Sequence, residues 1–188
     1  GDRKAPTQAE LQEIDYFLVD LQDVGSRYYT YMATMKNCMA ACAKARKPMF
    51  VLDRPNPVGG AVIEGPVAER TESPVCSAPI PARHGMTMGE LALLGNDVLG
   101  IGASVNVVPT DGWRRDMWFD GTELPWIKPS PNMPDLESAT HYPGTVIFEA
   151  TNLSVGRGTP IAFQVLGAPW LSPGDVAAVI GEQPGVAI

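Results

Sequence analysis

A chain of 188 residues with 45% apolar content is long enough for one buried core and part of a second, and none of its apolar runs reaches the length of a membrane-spanning helix. A net charge of −7 provides no basic stripe for nucleic acid or an anionic membrane surface, so an anionic ligand would have to be met by individual arginines. Cys38, Cys42 and Cys76 make no disulfide framework, and His84 and His141 stand apart without partners at ligand spacing, so no metal site is expected.

In chain order, Asp15 to Leu21 (DYFLVDL) is a short apolar run that predicts a strand buried on both faces, as in a parallel sheet. Met32, Met35, Cys38, Met39 and Cys42 then recur at helical spacing, with Lys44, Arg46 and Lys47 where cations meet the negative end of the helix dipole, and Pro48 stops the helix. The run MFVLD is a second strand, so the three elements make one parallel strand–helix–strand unit. Ligands of open parallel sheets bind beyond the carboxyl ends of the strands, which here carry Gln22, Asp23 and Arg27 after the first and Asp53, Arg54 and Asn56 after the second. The run Asp53-Arg54-Pro55-Asn56-Pro57 suits a ligand site and equally a salt-bridged turn in which prolines fix φ and Asn56 caps a bend. Neither G-x-G-x-x-G nor a P-loop occurs, so no dinucleotide or other cofactor is expected.

Gly60 to Val67 predicts a short strand carrying Glu64, a contact residue or a solvated one. Thr87 and Glu90 have the spacing of a capping box ahead of the apolar run LALL, which starts a helix and makes Glu90 structural. His84, just before it, is either a general acid/base or a packed histidine. Val105 to Val108 is the next strand. After Pro109 the texture becomes loop-heavy, with Trp113, Trp118 and Trp126 among arginines and carboxylates. That combination suits a sugar site, where rings stack on C–H faces and polar groups read hydroxyls, and equally suits a core. The change of texture places a boundary near 109–112. Residues 1–110 would be part of a Rossmann-like α/β domain and 111–188 part of a smaller α+β domain.

Pro129, Pro131 and Pro134 make a stiff extended loop that presents Ser130 and Asn132. Thr145 to Phe148 reads as a strand that delivers Glu149 and Asn152, with Ser154, Gly156, Arg157 and Gly158 behind it. Phe163 to Gly167 reads as another strand, and Ser172-Pro173 opens a last helix.

The motifs DLQDVGSRYYTY (20–31), VLDRPNPVGG (51–60), IEGPV (63–67), IPARHGMTMGEL (80–91), LPWIKPSPNMP (124–134), YPGTVIFEATNLSVGRGT (142–159) and GAPW (167–170) together resemble the NamZ-type exo-β-N-acetylmuramidases, glycoside hydrolase family 171, over nearly the whole chain. The resemblance implies a bacterial cell-wall enzyme, periplasmic or secreted, that removes terminal N-acetylmuramic acid from peptidoglycan fragments. It also implies a Rossmann-like domain, a smaller α+β domain and a cleft between them. A preceding family segment with a Pro-Glu-His-Gly motif is missing here, so the chain is expected to be a fragment lacking N-terminal and C-terminal parts. A non-catalytic muropeptide-binding or scaffold protein is the alternative reading.

Glycoside hydrolysis usually needs two carboxyl groups, about 5–5.5 Å apart for retention or about 6.5–9.5 Å for inversion. The Glu of the missing Pro-Glu-His-Gly motif is a leading catalytic candidate by the resemblance, and within this chain Glu149 is the best carboxylate, with Asp53 and His84 as further catalytic candidates. The lactyl carboxylate of N-acetylmuramic acid suits a guanidinium fork, for which Arg157 and Arg54 are the candidates. Asn56, Glu64, Trp126, Ser130, Asn132, Asn152 and Ser154 complete the expected substrate-binding set. Glu149 is expected to face the cleft among neutral donors from Ser130, Asn132 and Asn152, or else to brace the Gly/Arg loop through Arg157.

Overall fold

Three short apolar segments pair in parallel in a computed structural model, which describes residues 3–181. These are β1 (Phe17–Val19), β2 (Met49–Leu52) and β3 (Val105–Val108), in the order β1-β2-β3. Phe17 and Val19 stand opposite Met49 and Val51, which stand opposite Val105 and Val107. Side chains alternate across a sheet, so this register turns all six to one face. There they meet Leu11 of α1 (Gln8–Gln12), the apolar stripe of α2 (Tyr31–Ala45) and Met88, Leu91 and Ala92 of α3 (Met88–Val98) in one core.

The opposite face is more open among the described residues, with Leu18 54% and Val108 46% exposed. The expectation that the first strand is buried on both faces is therefore corrected. Among the described residues β1 has one strand neighbour and a helix layer on one side, which protect only alternate residues.

α2 buries Met32, Met35, Cys38, Met39 and Cys42, as their spacing predicts. It ends at Ala45, because Arg46 turns into the left-handed region (φ 54°) and its N–H closes on the carbonyls of Ala43 and Cys42. α3 opens on the expected capping box. The Thr87 hydroxyl accepts from the Glu90 N–H, and the Glu90 carboxylate accepts from the Thr87 N–H at 3.0 Å.

Three strand expectations are overturned. Residues 60–67 form no strand, and only an isolated antiparallel bridge joins Glu64 to Arg83. The run 145–148 belongs to a helix tail: α4 (Leu136–Thr145) passes into a 3-10 turn at Val146–Ala150. The deciding signal lies upstream. Asp135 caps the Ser138 N–H, and Ala139, Tyr142 and Val146 bury one helical face, so the short run at 145–148 follows a period set before it. Residues 163–167 turn rather than extend, with one bridge between Ser154 and Gly167. The last helix, α5 (Pro173–Ile180), has Ser172 as its N-cap as expected. The end of its expected span, 182–183, lies outside the described residues.

A second apolar cluster joins Val24 and Tyr29, from the loop after β1, to Met133, Ala139, Tyr142, Val146, Val155 and Phe163. The loop leaving β2 also holds the segment beyond β3, through Gly60 N–H to Arg115 O (2.8 Å) and Phe119 N–H to Pro57 O (3.0 Å). The carboxyl edge of the sheet is thus where the separate parts of the chain meet.

Candidate functional site

The loops at the carboxyl ends of β1 and β2 are tied by a fork. Arg54 donates to both oxygens of Asp20, at 2.5 and 2.9 Å, and these bonds hold the Asp20 carboxyl below its usual pKa. Beside the fork opens a cleft of about 370 Å³ lined by Asp20, Gln22, Tyr31, Arg54, Phe119 and Trp126, among others. Trp126 stands edge-on to Phe119 at 5.0 Å and donates its indole N–H to the Met133 carbonyl (3.2 Å), while Tyr31 donates to the Pro129 carbonyl (2.6 Å). The proline loop is pinned at both ends by these bonds, and Trp126 lines the cleft.

Several predicted site residues serve the scaffold. Asp53, expected to be catalytic, accepts from the N–H groups of Gly89 (2.7 Å) and Arg54 (2.9 Å) and from the Thr87 hydroxyl (2.8 Å). Both its oxygens are occupied in anchoring the start of α3 to β2. Asn56 is buried, accepting from the Val58 N–H and donating to the Met86 carbonyl, so the bend-capping alternative describes it. Glu64 pairs with Arg83 at 2.7 Å, and that guanidinium also lies over the Trp118 ring.

Glu149, in the 3-10 turn after α4, meets Arg157, whose Nε and Nη2 both donate to its carboxylate. The expectation of neutral donors around Glu149 is corrected, since its partner is a full opposite charge. Asn132 reaches the same loop differently, its Oδ1 accepting from the Gly158 N–H at 2.8 Å. Gly156 has φ 73°, and a Cβ there would stand 2.8 Å from Val165 Cγ2, so this tight bend that carries Arg157 excludes other residues. Arg157 lies over the Phe163 ring at 5.1 Å, and Phe163 is edge-on to Tyr142 at 4.7 Å. Ser154 caps the Gly156 N–H, and Asn152 is exposed. Ser130 lies beside the Tyr29 hydroxyl without closing a hydrogen bond of normal geometry.

His84, only 2% exposed, has both ring nitrogens engaged. Its Nδ1 accepts from the Met86 N–H (3.1 Å), which puts the proton on Nε2, and that N–H donates to Asp23 Oδ2 (3.1 Å). The same oxygen accepts from the Gly25 N–H at 2.7 Å. His84 is therefore a packed histidine whose ring nitrogens meet Met86 and Asp23. Sequence reasoning put Asp23 at the end of a strand without selecting it as a site residue. Burial pushes the phenols of Tyr29 and Tyr142 upward, and the Asp23 charge reaches both hydroxyls. Tyr142 lies within reach of Glu149 and Arg157 too, so one belt of aromatic residues separates the two carboxylate pairs.

Comparison with known proteins supplies a family for this arrangement. Residues 1–137 match the family "Exo-beta-N-acetylmuramidase NamZ, N-terminal", and residues 140–188 match its C-terminal counterpart. The chain is 46% identical over 189 aligned residues to the peptidoglycan beta-N-acetylmuramidase NamZ of Bacillus subtilis, covering 99% of this chain and 46% of that protein. Two crystal structures of DUF1343 family proteins from Bacteroides fragilis are similar. One has a TM-score of 0.87 at 38% identity, over 95% of this chain and 48% of the other. The second has a TM-score of 0.78 at 40% identity, over 87% and 46%. The chain thus spans about half the length of the relatives it matches.

Proposed function

The chain belongs to the family of the exo-beta-N-acetylmuramidase NamZ, and from this we propose that it forms part of a glycosidase that releases terminal N-acetylmuramic acid from peptidoglycan fragments. The observation that carries the reading is the Glu149–Arg157 pair, held over an aromatic floor of Phe163 and Tyr142 and half open to solvent. A muramic acid residue brings a carboxylate on its lactyl ether. The Arg157 fork is shaped for such a group, and on binding it the guanidinium is shared between Glu149 and the substrate. Glu149 is then left beside the bound sugar as the candidate acid. Peptidoglycan as substrate also supports a location outside the cytoplasmic membrane.

A brace is the competing role, because the same fork joins the turn at 146–150 to the Gly/Arg loop. The two separate in the natural protein that carries this chain. Glu149→Gln keeps the shape and much of the hydrogen bonding while removing the charge. Release of free N-acetylmuramic acid from a chromogenic muramide should fall by on the order of 100-fold or more. Near-normal hydrolysis by that variant would show that Glu149 is a brace.

A further inference from the structure

We infer that Asp23 is a second carboxylate of this site, held by His84 and the Gly25 N–H so that its free oxygen accepts a hydrogen bond from a neutral N–H or O–H of the bound sugar. The inference rests on the muramidase reading and extends it to a residue on the other side of the aromatic belt.

Four side chains within residues 23–29 carry a buried polar atom without a protein partner: Asp23 Oδ1, Ser26 Oγ, Arg27 Nε and the Tyr29 hydroxyl. Asp23 is 4%, Ser26 1%, Arg27 8% and Tyr29 8% exposed, so bulk water does not serve these atoms. Buried polar atoms are almost always bonded, because leaving one unmet forfeits the hydration it had in the unfolded chain. Four in one loop, at the carboxyl end of a parallel strand where ligands bind, is where an unfilled partner belongs.

Asp23 is also built to hold an orientation. Oδ2 takes two donors, at 2.7 Å from Gly25 and 3.1 Å from His84, and the Met86 N–H fixes the tautomer that makes His84 a donor. This leaves Oδ1 as a directed acceptor whose charge no arginine neutralises among the contacts of its carboxylate. An anionic acceptor repels the lactyl carboxylate and selects a neutral donor, so Asp23 and Arg157 would read opposite features of one sugar. Tyr29 and Tyr142 stand between them with ring centroids 6.0 Å apart. His84 is then a positioning residue, acting only through Asp23.

The test uses the natural protein that carries this chain and compares Asp23→Asn, Tyr29→Phe and Ser26→Ala with wild type. Each is measured for Tm, for kcat and KM on the chromogenic muramide, and for binding of N-acetylmuramic acid by calorimetry. Asp23→Asn replaces an acceptor by a donor and should lower kcat/KM and weaken binding by on the order of 10- to 100-fold. Tyr29→Phe removes an unmet hydroxyl, so Tm should hold or rise while kcat/KM falls. That combination is one that a purely structural hydroxyl does not give.

Wild-type kinetics and binding in a folded Asp23→Asn would overturn the inference. If Asp23→Asn does not fold, the other two variants decide. A lowered Tm with unchanged kinetics in Tyr29→Phe and Ser26→Ala would mean that an internal water fills the gap, and would equally overturn it. A wild-type protein that binds N-acetylmuramic acid but cleaves nothing sinks the glycosidase reading alone, and the binding loss in Asp23→Asn then judges Asp23.

Discussion

Arg157 is held by two contacts of different kinds, a fork on Glu149 and the face of Phe163. Its side chain is 49% exposed and that of Glu149 31%, so solvent screens the pair and its contribution to stability is no more than about 1 kcal/mol. Arg157→Ala should thus leave denaturation nearly unchanged while kcat/KM falls on the order of 30-fold or more, the cost of losing a charge-assisted contact to the substrate. Unchanged kcat/KM would remove Arg157 from the site. The buried phenols give a pH prediction. Burial favours the neutral forms of Tyr29 and Tyr142 and raises both pKa values, so their stabilisation is complete below the unfolded tyrosine value and is lost as pH rises towards the folded ones. Stability should then decline above about pH 10, with a slope of about 1.4 kcal/mol per pH unit for each tyrosine. Burial also pushes the Cys42 thiol up to about 11, so a shallower decline should begin nearer the ordinary thiol range. Urea titrations at a series of alkaline pH values check this, and Tyr29→Phe should remove about half of the tyrosine slope.

Among the elements, α3 shows how a local cap and a long-range contact cooperate. Thr87 and Glu90 close the capping box within one turn, and that much is visible in the spacing of two residues. Asp53 then adds a tether from β2, and this works only because residue 89 is glycine. A Cβ there would stand 2.5 Å from Val107 Cγ1 and 2.9 Å from the Asp53 carboxyl carbon. Gly89→Ala should therefore cost about 1–3 kcal/mol by forcing α3 off the sheet, seen as a lower urea midpoint at unchanged m. A midpoint equal to wild type would show that the helix can shift freely. α4 was hidden for a related reason: its face is set by Ala139 and Tyr142, which pack against the loop after β1 and Phe163, so a partner far along the chain decides that 146–150 coils instead of extending.

For the whole molecule, the open sheet face is the feature with a measurable consequence. Tyr16 and Leu18 are each 54% exposed beside Phe50 and Val108, a patch of the kind that drives association when nothing covers it. The 188-residue chain in isolation should bind a hydrophobic dye and self-associate as concentration rises. Leu18→Lys with Val108→Lys should suppress both with little change in Tm. Dye binding that is indifferent to these substitutions would place the sticky surface elsewhere.

What the sequence determined by itself was whatever is settled within a few residues: three short apolar runs as parallel strands, the methionine and cysteine stripe of α2, the caps at Thr87 and Ser172, and the stiffness of the proline loop. Each follows from periodicity or from a bond between near neighbours. The partners of the charged groups were decided only by tertiary structure. The run from Asp53 suited a ligand site and a salt-bridged turn equally until α3 arrived at the Asp53 oxygens. Glu149 met a cation eight positions away across a bend that only Gly156 allows. Asp23 meets His84 across 61 positions of sequence. A carboxylate's chemistry depends on what stands within about 4 Å of it, because Coulomb attraction and desolvation act at that range and carry no sequence period.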